Sequence, residues 1–453
     1  MTDGAQTNRS YGGLSVGAVL PWVIGAILLL ILPMIFQERS ALTIMNQMSI
    51  TIIFALAYNM LLGQGGMLSF GHAVYMGLGG FFCMHILNWV EDGHIFLPLP
   101  FLPVLGGLFG LGFATIIGAF STRNAGTVFA MISLGIGELV AACSVIVVAF
   151  FGGEEGISGD RTYATFMGVE FLKQIEVYYL TAFWLMLSAV LMYLFSRTPV
   201  GRMANAVRDN PERAEFLGYS ARWVRFYSFC ASGFFCGVAG ALFAINFEIL
   251  TEENLNATTS GTILLVTFLG GVGFFFGPII GAVVFTLLQT VLSLSTELWT
   301  LYAGALFVLT VMFFPGGLSG LIMMHVIPLR FGKFNLLVMP YIKTLIPGIL
   351  GVFGLSALVE SLFHLRHSAV GDHEMTLFWT TFDSHTVLPW VVMIAVTGVG
   401  FYFARANWPE MRAAWDEANT APTVGNVLSE TKPAVDPDTV NPVAEMQGEE
   451  GKS

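Results

Sequence analysis

Charge is what this chain has least of. Only 11% of its 453 residues are Asp, Glu, Lys or Arg, against about 25% in soluble domains. That deficit excludes an ordinary water-soluble fold. Basic residues number 19 against 30 acidic ones, a net charge of −11. A nucleic-acid surface needs the opposite balance. The four cysteines, Cys83, Cys143, Cys230 and Cys236, lie in or beside apolar segments. They show no disulfide framework and no zinc spacing, so packing accounts for them. No phosphate loop exists: Gly451-Lys-Ser has the right ending, but the glycine needed five residues earlier is Met446. No span pairs His, Asp or Ser as an intramembrane catalyst would.

What is abundant is hydrocarbon, 55% of residues at a mean hydropathy of +0.74. Runs of about 17–25 apolar residues cross a bilayer. They fall at 17–36, 41–62, 67–89, 97–120, 126–151, 177–196, 224–246, 259–275, 277–295, 299–316, 343–363 and 387–404. The expected fold is an all-α polytopic membrane protein, with about ten core spans and two further C-terminal ones. The 259–295 region holds Gly270, Gly271, Gly273 and Gly277, so it is either two spans or broken half-helices. The first run is too long for a signal-peptide core and no small-residue cleavage site follows, so it is read as a retained span.

Basic residues in short loops mark the cytoplasmic side. Arg197, Arg202, Arg208, Arg213, Arg222 and Arg225 crowd one loop, 197–225, which places it inside. Arg123, Arg330, Lys333, Lys343 and Arg405 then fall inside as well, while Glu91, Asp92, Glu154, Glu155, Glu248, Glu252 and Glu253 fall outside. Arg39, Arg161 and Lys173 are basic exceptions on the outer side. Domain expectations follow: a cytoplasmic segment 1–16, a membrane domain 17–330, an extension 331–407 with two spans, and a tail 408–453. That tail is acidic and rich in Pro and Thr, too polar to bury a core, so disorder is expected. Residues 409–418 suit one amphipathic helix.

The basic loop has its own grammar. Asn210 suits an N-cap, Pro211 the first helical position, Glu212 the positive dipole end and Gly218 the terminator. A short helix over Pro211–Leu217 is expected, with Ala214, Phe216 and Leu217 as its apolar residues and Ser220 capping the following span. Two turns are marginal alone, so the helix needs a partner surface or its own spans. Elsewhere, Glu138 lies inside a span, where a carboxylate is costly. It either lines a path or pairs with a donor on another helix. His72, beside Ser69 after a glycine break, either serves a pathway or satisfies carbonyls freed by the break. Two glycine-interrupted runs, at Gly63-Gln-Gly-Gly and Gly270-Gly-Val-Gly, read either as a faint parallel repeat near a substrate path or as plain close packing. His364, His367, His373 and His385 share an outer loop, better read as solvated than as a metal site.

Several of these stretches together resemble the branched-chain amino acid ABC importer permeases, the M-type subunit above all. Thr198-Pro-Val-Gly-Arg-Met-Ala-Asn-Ala-Val-Arg-Asp-Asn-Pro-Glu-Arg-Ala is similar to the cytoplasmic coupling segment. Gly63-Gln-Gly-Gly-Met-Leu-Ser-Phe-Gly-His resembles the break after the second span, and Ile132-Ser-Leu-Gly-Ile-Gly-Glu the intramembrane glutamate segment. Gly152-Gly-Glu-Glu-Gly-Ile-Ser-Gly resembles the external loop, Leu269-Gly-Gly-Val-Gly the late glycine loop, and Phe314-Pro-Gly-Gly-Leu-Ser-Gly-Leu the final motif. The likeness covers about residues 41–325. It implies a permease, not an enzyme, that binds no cofactor and whose ATP is hydrolysed on partners. Those partners are a second permease subunit, two cytoplasmic ATP-binding subunits and an external solute-binding protein. The setting is a bacterial inner membrane, with lipid around it, no nucleic acid and both termini cytoplasmic. Coupling would fall to Gly201, Arg202, Arg208, Pro211, Glu212, Ala214, Leu217 and Gly218. Path candidates are Gly65, Gly66, Ser69, Gly71, His72, Glu138, Gly271 and Gly273, and the external loop is marked by Gly152, Gly153, Gly156 and Ser158. Two departures stand out: Glu154 and Glu155 where uncharged residues are common, and a long C-terminal extension. The competing class is an ion-gradient-driven secondary transporter, for which Glu138 is nearly the sole central acid.

Overall fold

A chain in hydrocarbon must pair its backbone polar groups internally, so apolar runs become helices. The computed structural model describes residues 16–367, 374–377, 380–383 and 386–420. They fall into two compact units, dividing at Ile322/Met323.

The first unit holds α1 (Val16–Ile35), α2 (Arg39–Asn59), α3 (Ala73–Glu91), α4 (Leu102–Ser121), α5 (Thr127–Ile146), α6 (Val148–Phe151), α7 (Gln174–Arg197), α8 (Pro199–Asp209), α9 (Pro211–Phe216), α10 (Ala221–Phe247), α11 (Ala257–Gly270), α12 (Gly277–Thr290), α13 (Trp299–Phe313) and α14 (Gly317–Met324). Its two short strands, β1 (Ile157–Ser158) and β2 (Ile249–Leu250), pair antiparallel. Among the described residues nine helices are long and apolar enough to cross a membrane, or ten if the bent pair Trp299–Phe313 and Gly317–Arg330 counts as one span. The all-α polytopic class is thus as expected, and the span boundaries are adjusted. The shorter apolar stretches are Val19–Ile35, within α1, and Ala257–Gly270. The doubtful 259–295 region is a pair of 14-residue helices, α11 and α12, hinged at the glycines.

The core lies where α10 packs against α2, α3 and α4. Glycine makes this possible. A Cβ on Gly237 would run into the backbone carbonyl of Gly106, and one on Gly240 into that of Met76. Backbones therefore approach closely, the usual route to helix association in lipid. α1 is attached more lightly. Pro33 has no amide, which leaves the Leu29 carbonyl without its helical partner, and the Tyr178 hydroxyl donates to it at 2.9 Å.

The second unit contains α15 (Val326–Arg330), α16 (Asn335–His367), α17 (Val387–Asn419) and the hairpin of β3 (Glu374–Leu377) with β4 (Thr380–Asp383). α16 and α17 lie along one another, meeting at Gly351 and Gly400. α17 corrects the expected tail boundary. It continues through Trp408 and Pro409 to Asn419 as one helix, so 409–418 is not a separate element. The reason is a neighbour: Glu410 pairs with Lys343 at 2.7 Å, Asn407 donates to the Lys343 carbonyl at 3.2 Å, and Lys333 closes the C-terminus through the Thr420 carbonyl at 2.9 Å. The rest of the expected tail, 421–453, lies outside the described residues, as do His373 and His385. No group of three metal-binding side chains occurs among the described residues.

Replacing Gly240 with Leu should remove the folded protein: yield of monodisperse material on size exclusion in mild detergent should fall at least tenfold, with Gly261→Leu, whose Cβ position is open, near wild type.

Candidate functional site

The basic loop folds as two helices, not one. Thr198 caps α8, its hydroxyl accepting from the Gly201 amide at 3.2 Å, and Pro199 takes the first position. Gly201 is buried where α8 turns back on α7; a Cβ there would strike the Phe195 carbonyl. Asn210 caps α9, accepting from the Arg213 amide at 2.9 Å, as its sequence grammar implies. α9 ends one residue early, at Phe216, and Gly218 stops it with φ +86. Ser220 stands at the N-cap of α10 but makes no capping hydrogen bond, against expectation. Ala204, Val207, Ala214, Ala221 and Val224 form a small core that binds α8 and α9 to the root of α10. Of the apolar residues of this helix Ala214 is buried, whereas Phe216 is 90% exposed and Leu217 67% exposed. They form an apolar tip on a basic loop. Arg202, Pro211 and Glu212 are exposed around it.

Arg208 points the other way. Its guanidinium donates to the Gly63 carbonyl, and its methylenes lie on Gly66, whose φ is +64. Gly63 belongs to a π-helical turn, Met60–Gln64, that ends α2 and leads through Gly65 into the glycine break. Asn59, just before that turn, donates to the Phe274 carbonyl at 3.3 Å, and a Cβ on Gly63 would meet the Val272 carbonyl. The first break thus rests on the second. Gly271 in turn lies against Gly316, and Ser319 donates to the Gly270 carbonyl. Gly273 is exposed, with nothing close to it. Four stretches far apart in sequence therefore form one contiguous patch. The two breaks are in contact; their likeness as a repeat is a separate matter.

Beyond Gly66 the chain threads inward. Ser69 is buried, its backbone carbonyl accepting from the Tyr58 hydroxyl at 2.8 Å. The Phe70 amide donates to Ser133 Oγ and the Ala73 amide to Ser260 Oγ. Gly71 packs onto the Ser133 carbonyl of α5. His72 Nε2 lies 2.9 Å from Ser232 Oγ. The one hydroxyl proton of Ser232 goes to the Ala57 carbonyl at 2.6 Å, so the imidazole is the donor and carries its proton on Nε2. His72 is thus tied through Ser232 to the Ala57 carbonyl of α2.

Glu138 does not join this group. It sits at mid-helix on α5 and faces outward, as do Met131, Gly135 and Ala142 on the same stripe. Of its two readings, a pairing within this chain is not found among the described residues.

The glycine loop 152–158, expected to be external, lies at the opposite end of α10. Gly152, Gly153 and Gly156 all have positive φ, +77, +72 and +75, and Ser158 pairs with Ile249 across the β1–β2 ladder. Glu154 and Glu155 are exposed at its tip. Behind it lies a residue noticed in the sequence only as a charge exception. Arg161 is 4% exposed and donates to the carbonyls of Phe171 (3.1 Å) and Ile245 (2.9 Å) and to Gln174 Oε1 (3.2 Å), with Glu248 at 3.8 Å. Burial lowers its pKa from the ordinary arginine range, and Glu248 works against that. Gln174 passes the network to Asn246, and Asn246 to Asn46. A basic residue that departs from the expected charge pattern was the available signal; the carbonyls that need it are invisible in sequence.

A family model described as branched-chain amino acid transport system / permease component matches residues 40–311. The high-affinity branched-chain amino acid transport system permease protein LivM of Salmonella typhimurium is 26% identical over 303 residues, 62% of this chain and 70% of that protein. The galactose/methyl galactoside import permease protein MglC of the same organism is 26% identical over 286 residues, covering 58% and 83%. The autoinducer 2 import system permease protein LsrC of Klebsiella pneumoniae is 29% identical over 161 residues, covering 34% and 47%. No solved structure matches the chain. Neither α1 nor the second unit lies within the family match.

Replacing Arg161 with Met should strand four acceptors, the carbonyls of Phe171, Ile245 and Asn246 and Gln174 Oε1. At ~1–3 kcal/mol for each buried group left unpaired, the unfolding midpoint in detergent should fall by several degrees, more than for Lys173→Met at the exposed surface nearby.

Proposed function

This chain belongs to the family of branched-chain amino acid transport permease components, and from that premise we propose that it forms half of a translocation path driven by separate ATP-binding cassette subunits. The cargo is branched-chain amino acids or related small solutes, delivered by an external binding protein. A second permease supplies the other half. The assembly sits in a bacterial inner membrane, with loop 197–225 facing the cytoplasm. ATP is bound and hydrolysed on the two partner subunits, not on this chain.

One contact carries the reading: Arg208, rooted in the basic loop, holds the Gly63 carbonyl at the first helix break. α8 and α9 share a core, so they move as one body. Their exposed tip, Phe216 and Leu217, is suited to an apolar groove on an ATP-binding subunit. When those subunits close, the tip is displaced. Arg208 passes the displacement to Gly63–Gly66, and Asn59 passes it to the loop at Phe274. Both breaks then shift together, and α7 and α10, to which the loop is tied, tilt with them. Access switches because helix packing is bistable rather than continuously deformable. Glu138 belongs to the face that meets the second permease or the aqueous path. A carboxylate in plain hydrocarbon is costly, so that face is covered or wet in the assembly. The external loop Gly152–Ser158, stiffened by Arg161, is where the binding protein docks.

The test is reconstitution with the two ATPases, the second permease and the binding protein. Arg208→Ala, Gly218→Pro and Ala214→Asp should each keep measurable ATP hydrolysis while cutting solute uptake per ATP at least tenfold. Unchanged uptake per ATP in all three sinks the coupling assignment. Collapsing ion gradients with ionophores at constant ATP should leave wild-type uptake intact; loss of uptake there would favour a gradient-driven carrier.

A separate outcome concerns Glu138. Glu138→Gln should lower uptake severalfold without lowering the amount of complex recovered; wild-type uptake would remove it from the path.

A further inference from the structure

A groove of about 610 Å³ lies between α1, α2, α7 and α12. It runs along α1 from Pro21 to Phe36, which is about 22 Å at 1.5 Å per residue. Its walls are aliphatic and aromatic: Leu28, Leu32, Met48, Met186, Ile279 and Val283 are typical. The two hydroxyls that reach it are already used. Ser49 donates to the Met45 carbonyl and Tyr178 to the Leu29 carbonyl.

Three occupants compete on size and polarity. A transmembrane helix, about 10 Å across, would lie against the open side of such a groove rather than fill it. A zwitterionic solute would find no partners for its charges, and burying them unpaired is prohibitive. A flexible hydrocarbon chain satisfies both limits. The groove opens at membrane depth, where such chains are the solvent. α1 holds it open, pinned at its inner end by Trp22 among Tyr193 and Phe276, ring centroids 5.3 and 5.5 Å away, and farther along by the Tyr178 hydrogen bond.

At the other end, Phe36 and Ala41 line the groove, and the corner between them carries Arg39 beside an exposed Glu38. Arg39 is exposed, and its side chain has no ion-pair or hydrogen-bond partner among the described residues. A guanidinium is shaped to grip a phosphate. We propose that this groove is a phospholipid site, with one acyl chain lying along α1 and the lipid phosphate held by Arg39. An anionic lipid is favoured over a zwitterionic one, because Arg39 then meets net negative charge. The bound lipid completes the packing that α1 lacks and anchors it to α2 and α12.

The proposal needs only the membrane fold, so its test leaves transport aside. The full chain is purified in mild detergent, supplied with phosphatidylglycerol or phosphatidylethanolamine, and weighed by native mass spectrometry. Wild type should retain phosphatidylglycerol through detergent exchange and unfold at a higher temperature with it. Gly25→Phe fills the groove toward Met186, whose Cε lies 3.6 Å from a Cβ built at Gly25. It should hold one lipid fewer and lose the thermal response while staying monodisperse. Leu28→Trp, at a half-exposed groove position, is a second filler should Gly25→Phe not accumulate. Arg39→Gln should still admit a chain but bind phosphatidylglycerol about tenfold more weakly and lose the preference over phosphatidylethanolamine. Equal lipid counts for wild type and a folded filler, or an Arg39→Gln protein with unchanged preference, would overturn it.

Discussion

Hydrocarbon offers no hydrogen bonds, and nearly every specific feature of this protein answers that constraint. A helix interrupted in lipid strands carbonyls and amides worth several kcal/mol each. Several carbonyls here are met by a side chain from another segment. Pro33 frees the Leu29 carbonyl, and Tyr178 takes it. The Ala57 carbonyl is taken by Ser232, and Ser232 is fixed by His72. The Gly63 carbonyl is taken by Arg208, and that of Gly270 by Ser319. At the outer end of α10, Arg161 closes the carbonyl of Ile245.

These repairs double as connections. A donor that satisfies a break must come from another segment, so the repair ties two segments together. The basic loop is joined to the first break, the first break to the second, and the second to the final motif by this kind of bond. Glycine permits it. At Gly66 and Gly271 a positive φ is required, and at Gly71 another backbone passes where a Cβ would sit. Small residues bring backbones close enough for the bonds to form, and the bonds then hold the backbones there.

Much of this was legible from residue order. Apolar run lengths marked the spans, because a bilayer's thickness is nearly constant. Asn210-Pro-Glu and Gly218 marked α9, because capping is local chemistry. The failures were also physical. Phe216 and Leu217 were legible as apolar, but whether they face the chain's own spans or stand exposed on the tip was not. α8 was passed over because its arginines obscured a small face of Ala204 and Val207. The extension of α17 past Pro409 was missed because its support, Lys343 and Lys333, lies more than sixty residues earlier in the chain.

The sequence by itself determined that the chain lives in lipid, where its helices begin and break, and which family it joins. Those properties depend on composition and short-range pattern. The tertiary structure alone decided which donor meets which orphaned carbonyl, that Glu138 turns outward while His72 turns in, and that Arg208 reaches from a loop to a break 145 residues away. Such pairings depend on how helices pack in three dimensions, and a hydrogen bond between distant segments carries no trace in the linear order of the residues that make it.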